Sequence, residues 1–463
     1  VSSNDLTVIV LAAGGGTRMK SKTMKVLHRI GGRSMIGHVL TAVSATEPTR
    51  VVAVVGTQRE QVGPHVLEYA PAAVLAVQET QDGTGHAVRV AVECVGTPLS
   101  GTVLVVTGDT PLLRGSSLAS FVEAHVESAA AVSVLTGIVP NPFGYGRIVR
   151  DSTGGVDAIV EEKDATPAQR EIAEINSGIL AFDAAFLSEA LGQLTNDNAN
   201  GEYYLTDTVK IARAAGRPVA AHPVEDVRET EGANDRAQLA ELGRVLNQRI
   251  VTQWMKDGVT IMDPATTWIE SDVVLEPDVT ILPGTQLLGA TVVREDAVIG
   301  PDTTLEDCEI GAGARVVRTH GQLAVIGMEA TVGPFSYLRP GTVLGAAGKI
   351  GAFVETKNAQ IGNRSKVPHL SYVGDAEIGE DSNIGAGTIF ANYDGKKKHR
   401  TKIGSRTKTG SNNTFIAPVE IGDDAMTGGG TTVRSDVPSG ALAVSSGPQR
   451  NLEGWTGRND ADC

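Results

Sequence analysis

Cysteine is nearly absent from this chain of 463 residues: Cys94, Cys308 and Cys463 are an odd, scattered three. They lack the spacing of metal ligands and cannot frame a disulfide scaffold, so a reducing compartment is expected. Long hydrophobic runs are missing too. No apolar stretch approaches the roughly 18 residues of a membrane helix, and the first residues lack the basic and apolar regions of a secretory leader. Positive charge is scarce, with 40 Lys and Arg against 54 Asp and Glu and a formal net charge of -14. That balance speaks against a broad polyanion-binding face. The expectation is a cytoplasmic protein that uses neither a membrane nor a nucleic acid as partner. What the chain does have is length, too much for one core and enough for two or three domains.

Two periods divide it. Through about residue 225, short apolar runs such as "TVIVLAA", "RVVAVVG" and "TVLVVTGDTPLL" alternate with segments of helical length such as "RSMIGHVLTAVSA". That order predicts a mainly parallel, Rossmann-like α/β sheet covered by helices, with ligands at the carboxyl ends of the strands. Leu239, Leu242, Leu246, Ile250 and Trp254 then recur every three or four positions, as in an amphipathic connecting helix. The expected division is residues 1–233, a linker helix at 234–257, and residues 258–463 with a C-terminal tail.

Beyond the helix the period becomes six. Ile281, Leu287, Val293, Ile299 and Leu305 are evenly spaced, as are Ile326, Val332, Leu338, Leu344 and Ile350. The register resets and resumes at Ile361, Val367 and Val373, at Ile378, Ile384 and Phe390, and at Ile403, Phe415, Ile421 and Val433. A helix cannot sustain that period. A stack of short flat strands can, with one apolar residue per face and a small residue, such as Gly300, Gly327, Gly333, Gly345 or Gly351, at the corner. Three faces make about 18 residues per coil, hence roughly ten coils between residues 260 and 440. The pattern resembles the left-handed parallel β-helix of hexapeptide-repeat acyltransferases, whose hand departs from the usual crossover rule. Residues 391–402, "ANYDGKKKHRTK", carry no inward apolar residue and are expected to leave the coil as a loop.

In the first half, "LAAGGGTRMKSKTMKVL" follows the first apolar run. Such a loop bares backbone N–H groups that can wrap a phosphate or ribose, while Thr17 and Arg18 can meet phosphate oxygens and Lys25 adds a second cation. It is neither a GxGxxG fingerprint nor a P-loop ending, which argues against NAD and ATPase readings. With "QETQDGTGHAV", "VTGDTPLL", "GYGRIV", "VEEKDAT", "EINSGI", "NGEYYLTD" and "EGANDR" in order, the segment resembles the sugar nucleotidyltransferases. Joined to the hexapeptide half, it resembles over nearly its whole length the bacterial enzymes that combine N-acetylglucosamine-1-phosphate uridylyltransferase with glucosamine-1-phosphate N-acetyltransferase.

For uridylyl transfer the resemblance implies that Leu11, Ala12, Ala13 and Gly14 line the nucleotide, with Gln78, Gly83 and Thr84 on uracil. Thr107, Gly108 and Asp109 follow at the end of a strand, and Gly146, Glu161 and Asn176 would hold the sugar. Arg18 and Lys25 would stabilise phosphate charge, and Asp109 with Asn234 would hold Mg²⁺. A hard cation that keeps several waters needs only one or two protein oxygens. Met24 stands where the family has Pro, and Asp82 where an apolar residue usually precedes Gly-Thr. Both lead to an expectation of weakened UTP binding.

For acetyl transfer, "LRPGT", "VETKNA", "KVPHLSYVGD", "SNIGAGT", "ANYDG" and "TGSNNTF" carry the resemblance. An amine attacks a thioester only when unprotonated and must shed a proton, so a neutral His is the expected base. His369 matches it. Arg339 and Lys357 would bind the sugar phosphate, Tyr372 and Asn383 the sugar. Asn392 would orient the amine, and Ser411 would stabilise the oxyanion. Ala386, Asn392, Tyr393, Ser411 and Gly429 would meet acetyl-CoA. Ser446 replaces an Arg of some relatives, which leaves Arg450 as a candidate phosphate contact, and Trp455 is expected to cap the solenoid. The resemblance also implies a homotrimer. The rival reading is a single-activity nucleotidyltransferase whose β-helix only assembles or regulates; His369, Tyr372, Asn392 and Ser411 argue against it. A non-catalytic exchange-factor scaffold is disfavoured by Arg18, Lys25 and Asp109.

Overall fold

The computed structural model describes residues 5–445 and 447–453. Ser446, Trp455 and Cys463 therefore lie outside the described residues. The chain divides into two compact units, Val1–Leu246 and Asn247–Cys463.

The first unit is a nine-stranded mixed sheet wrapped by helices. Its main strands are β1 (Leu6–Ala12), β2 (Arg50–Val55), β3 (Val74–Val77), β4 (Thr102–Thr107), β5 (Val132–Ile138), β6 (Glu174–Asp183) and β7 (Val219–Pro223), in the order β7-β5-β6-β4-β1-β2-β3. Strand β1 is central and pairs in parallel with both β2 and β4. The apolar runs are continuous because both faces are covered. Ile9, Val52, Val54, Val103 and Val105 enter one core, and Val8, Val10, Ala53, Val55, Leu104 and Val106 enter the other. Strand β6 alone of these runs against its neighbours, antiparallel to β4 and β5. The hairpin Arg147–Arg150 with Val156–Val160 pairs onto its start.

The long helix spans Arg236–Lys256. In the second unit the strands pair in parallel with ones 16 to 20 residues later, up to the excursion at 391–402; Thr260–Ile261 with Thr280–Ile281, Thr280–Ile281 with Val298–Ile299 and Glu309–Ile310 with Val325–Ile326 are examples. Every hexad residue named above is at most 4% exposed, and together they fill one continuous core. This is a left-handed parallel β-helix. At one corner Gly327, Gly345, Gly362, Gly379, Gly404 and Gly422 stack so closely that a Cβ on any would come within 2.7 Å of backbone in the next coil.

Residues 391–402 leave the coil as expected. Tyr393 and Lys398 bridge antiparallel, and Asp394 Oδ1 accepts the N–H groups of Lys396 and Lys397, each at 2.7 Å. The Lys397 N–H, the His399 ring and the Lys396 N–H hold the Asp394 carboxyl down to about 2. Thr401–Ile403 then rejoins the stack beside Ala376, Glu377 and Ile378.

Candidate active sites

The carboxyl ends of β1, β3 and β4 open into a cavity of about 310 Å³, whose walls include Leu11, Ala12, Ala13, Gly14, Lys25, Gln78, Gly83, Thr84, Thr107 and Asp109. The Gly108 N–H donates to Leu11 O at 2.9 Å, and the Gln78 N–H to Val55 O at 2.9 Å. The first bond fastens the end of β4 to that of β1, and the second fastens the end of β3 to that of β2. Of the three glycines after Ala13, Gly16 is required by the fold: its φ is +59° and a Cβ would lie 2.5 Å from Lys25 Cβ. A Cβ on Gly14 would meet nothing. Its bare backbone faces open space, where a ligand can approach. Gly83, at φ +104°, presses against the Tyr203 carbonyl and receives the Gln78 side-chain N–H on its own carbonyl at 3.2 Å.

Cations and oxygens converge beside this cavity. Lys25 Nζ lies 2.5 Å from Asp109 Oδ2 and donates to Asn234 Oδ1 at 2.8 Å, while Arg18 Nη2 donates to the same Asn234 oxygen at 2.9 Å. Asn234 reaches the site because the chain returns past Asp109, where Gly232 is so close that a Cβ would lie 3.3 Å from Asp109 Oδ2. The hard oxygens of Asp109 and Asn234 thus already converge on one positive charge, the ammonium of Lys25. That donor set fits Mg²⁺, which takes few protein ligands. No group of three or more His, Cys, Asp or Glu side chains gathers among the described residues.

The sugar candidates meet on the next strands. The Asn176 N–H donates to Gly146 O at 2.8 Å, and a Cβ on Gly146 would sit 3.3 Å from the Glu161 carboxylate. Thr206 Oγ1 donates to Glu161 Oε1 at 3.1 Å. Burial pushes the Glu161 carboxyl up despite that bond, with Asp164, Asp207 and Glu202 acting in the same direction. The pairing of β6 with β5 shifts register between Asn176, which stays opposite Thr136, and Leu180, so the ladder is interrupted just after Asn176.

In the solenoid, the acetyl-transfer candidates gather along one corner. Leu370, Gly387, Asn412 and Gly430 all take positive φ there, between 50° and 72°. Each follows one of His369, Ala386, Ser411 and Gly429, which form a single ladder. The N–H of Gly387 donates to His369 O, that of Asn412 to Ala386 O and that of Gly430 to Ser411 O. His369 ends the strand Lys366–His369 with its side chain exposed, and exposed Asn383 bridges to Lys366 on the same face. Around the corner lie Arg339, Lys357, Tyr372 and Asn392. Glu355 pairs with both Tyr337 and Tyr372 in register, and Lys357 with Gly374. Arg339 Nη1 is 2.8 Å from Glu355 Oε1, and Asn392 Nδ2 is 3.4 Å from Tyr372 Oη. A Cβ on Gly374 would come within 2.3 Å of Tyr372 Oη and 2.8 Å of Asn392 Nδ2. Gly374→Ala should therefore displace both and lower acetyl transfer by about tenfold or more, since small misplacements near reacting groups are costly. Pyrophosphate release, measured on the same sample, should not change.

Both halves have close relatives. A family model described as a MobA-like NTP transferase domain matches residues 8–170. The bifunctional protein GlmU of Pseudarthrobacter chlorophenolicus is 58% identical over 454 residues, covering 98% of this chain and 92% of the relative. The chain belongs to the GlmU family. The bifunctional protein GlmU of Rhodococcus opacus is likewise 58% identical over 459 residues, at 98% and 92% coverage. That of Corynebacterium glutamicum is 55% identical over 461 residues, at 98% and 95%. As a GlmU protein the chain is a bifunctional transferase, and the single-activity alternative falls away. No helix among the described residues is long and apolar enough to cross a membrane.

The structure adds GlmU residues that the motif reading did not assign. Asp375, inside the quoted "KVPHLSYVGD", binds Asn392; Glu355 holds Arg339; Gln81 Nε2 donates to Ala13 O at 2.6 Å. Lys398, from the excursion, sits beside Lys357, and the side-chain hydrogen bond between the two, followed by the charge of Lys357, pushes the Lys398 ammonium below the usual lysine range. No spacing rule in the sequence could place Lys398 there. The two departures from the family pattern also read differently. Met24 already adopts φ −58°, the angle a proline would impose, and its side chain is buried with Val26 and Leu113. The Asp82 carboxylate accepts from Thr80 Oγ1 at 2.8 Å and lies 3.7 Å from His86 Nδ1, while Gln81 and Gly83 form the cavity wall. The Met24 ground for weakened UTP binding therefore falls away, and Asp82 is not among the residues that form the cavity wall. Met24→Pro with Asp82→Leu should change the KM for UTP by less than about threefold, as expected for an exposed, locally paired charge. Met24→Pro alone should lower stability by about 1–2 kcal/mol through loss of a buried side chain, read as a fall in Tm.

Proposed function

We propose that the two sites act in turn on one phosphorylated amino sugar. At the solenoid corner, the amine of glucosamine 1-phosphate attacks the carbonyl carbon of acetyl-CoA. The C–N bond forms, the C–S bond breaks, and coenzyme A leaves as the thiol. His369 takes the proton that the amine sheds. Arg339 and Lys357 hold the phosphate, Tyr372 and Asn383 the sugar, and Asn392 orients the amine. Ser411 faces the developing oxyanion. Ala386, Tyr393 and Gly429 accommodate acetyl-CoA.

At the sheet, a phosphate oxygen of N-acetylglucosamine 1-phosphate attacks the α-phosphorus of UTP, and pyrophosphate departs. Two anions must meet, so positioning and charge neutralisation carry the reaction. Arg18 and Lys25 bind phosphate oxygens. Mg²⁺, held by Asp109 and Asn234, would neutralise further phosphate charge. Gln78, Gly83 and Thr84 read uracil, and Gly146, Glu161 and Asn176 hold the sugar. The observation that carries this reading is the convergence of Lys25 and Arg18 on the oxygens of Asp109 and Asn234 at the mouth of a nucleotide-sized cavity. Incubation with glucosamine 1-phosphate, acetyl-CoA, UTP and Mg²⁺, omitting one at a time, tests it. Thiol should appear without UTP, and pyrophosphate should require the acetylated sugar. Thiol release that depended on UTP would contradict two independent sites.

We also propose a cytoplasmic homotrimer. Free Cys94 and Cys308 suit a reducing compartment. On the corner occupied by His369, Phe335, Phe353 and Leu370 are 55%, 58% and 62% exposed, and the two Phe rings stack at 5.3 Å. Bulky apolar side chains at positive φ, left in water, suit burial by another copy of the chain. Phe353→Asp with Leu370→Asp should convert the trimer to single chains in sedimentation and remove acetyl transfer while sparing uridylyl transfer. A monomer with full acetyl transfer would refute the shared site.

A further inference from the structure

Asp375 lies on the strand Tyr372–Ile378 at φ +50°. Small polar residues adopt this conformation most readily, so an Asp here has an ordinary structural explanation. What its carboxylate does is not ordinary for this fold. At comparable left-handed positions, Asp302 pairs with Arg318 at 3.2 Å, Asp381 with Arg364 at 2.7 Å and Asp424 with Arg406 at 2.7 Å. Those pairs are exposed and tie neighbouring coils together. Asp375 instead accepts two side-chain amides: Asn358 Nδ2 on Oδ1 at 2.8 Å and Asn392 Nδ2 on Oδ2 at 2.5 Å.

We propose that Asp375 is a positioning residue for acetyl transfer, which locks the Asn392 amide so that its carbonyl oxygen is presented to the amine of the substrate. This rests on the reading of Asn392 given above. An ionised carboxylate only accepts hydrogen bonds, so the NH₂ end of the amide must be the end that faces it. The second N–H of that group points to Tyr372 Oη at 3.4 Å. With both donors engaged, Oδ1 is what remains for a ligand. The direction matters chemically. An amide oxygen accepts an N–H from the amine and leaves the nitrogen lone pair to attack the thioester. A flipped amide would donate to that lone pair and disable the nucleophile. Asn392 is 8% exposed, and its own carbonyl accepts the His399 N–H at 2.8 Å, so its backbone is held as well. Burial alone would raise the Asp375 carboxyl; the amides of Asn358 and Asn392 and the charges of Lys357 and Lys398 outweigh it and hold it below the usual range. The lock therefore stays ionised wherever the amine can be neutral.

The test is a double-mutant cycle in the full-length protein, with both half-reactions measured on each variant. Asp375→Asn should lower kcat for acetyl transfer by about 100-fold, the scale of a misoriented catalytic group, with the KM for glucosamine 1-phosphate within about threefold of wild type. An unchanged Tm shows that the solenoid is folded, and unchanged uridylyl transfer in the same sample shows that the first unit is intact. In an Asn392→Ala background, Asp375→Asn should cost no more than about twofold further, because the residue acts through that amide. Asn358→Ala, which touches only the other carboxylate oxygen, should stay within about threefold of wild type. Multiplicative losses in the cycle would overturn the proposal. So would a change in KM at constant kcat, which would make Asp375 a mere counter-charge for Lys357 and Lys398. An Asn358→Ala variant as impaired as Asp375→Asn would reduce the residue to structural support. Wild-type acetyl transfer in Asn392→Ala would overturn the role of Asn392 itself.

Discussion

Asp109→Ala should abolish pyrophosphate release from UTP and N-acetylglucosamine 1-phosphate, by about 1,000-fold or more, while thiol release from acetyl-CoA continues at the wild-type rate. The size of the effect follows from position. Asp109 follows β4 after the single residue Gly108, whose N–H is fastened to Leu11 O, so the backbone that carries its carboxylate is held at the cavity mouth by the sheet. It is the one carboxylate in contact with Lys25 among the described residues, at 2.5 Å, and its partner oxygen on Asn234 is neutral. Removing it deletes the only negative charge in that small set and leaves a single amide oxygen for a divalent cation. Two phosphates would then meet with less neutralisation, at the step where charge is being redistributed. Folding should survive, since Lys25 keeps Asn234 as a partner. Pyrophosphate release within tenfold of wild type would remove Asp109 from the reaction.

His369→Ala should give the reciprocal result: acetyl transfer lower by about 100- to 10,000-fold, the usual contribution of a general base, with pyrophosphate release from pre-acetylated sugar unchanged. The backbone around His369 does not depend on its ring. Its carbonyl accepts from Gly387 N at 3.2 Å and from Ser371 Oγ at 2.7 Å, and its strand pairs through Ala352. The ring itself is exposed at the head of the ladder formed with Ala386, Ser411 and Gly429. A truncation there removes a proton acceptor without opening a cavity, so activity should fall and Tm should not. His369→Ala with acetyl transfer near the wild-type rate would require another base. Together the two variants separate the half-reactions within one polypeptide, and an unchanged Tm for each shows that the substituted unit is still folded.

The solenoid was the most legible part of the chain. A period of six over so many coils admits few folds, and each inward residue read from that period, from Ile281 to Val433, lies in the core. The sheet was legible because covered strands need apolar residues on both faces, as Val103 to Val106 show. Less legible were effects that depend on where two distant side chains finally rest. The sequence offers Asp82 as a charge beside the nucleotide; the structure turns it to Thr80 and His86. It offers Met24 as a missing proline; packing fixes the same φ. Lys398 lies in a segment that reads only as a loop leaving the coil, yet the hairpin closed by Tyr393 brings it to Lys357.

Period, motif order and the chemistry of individual side chains were determined by the sequence alone, because they depend on residue type at short spacing. Which oxygens of Asp109 and Asn234 meet Lys25, which end of the Asn392 amide faces outward, and which residues share the corner with His369 were decided only by tertiary structure. Those relations join residues up to 209 positions apart. They exist only once burial of the two cores has closed the chain on itself, because hydrogen bonds and charges act over a few ångströms and burial is what brings the partners within that reach.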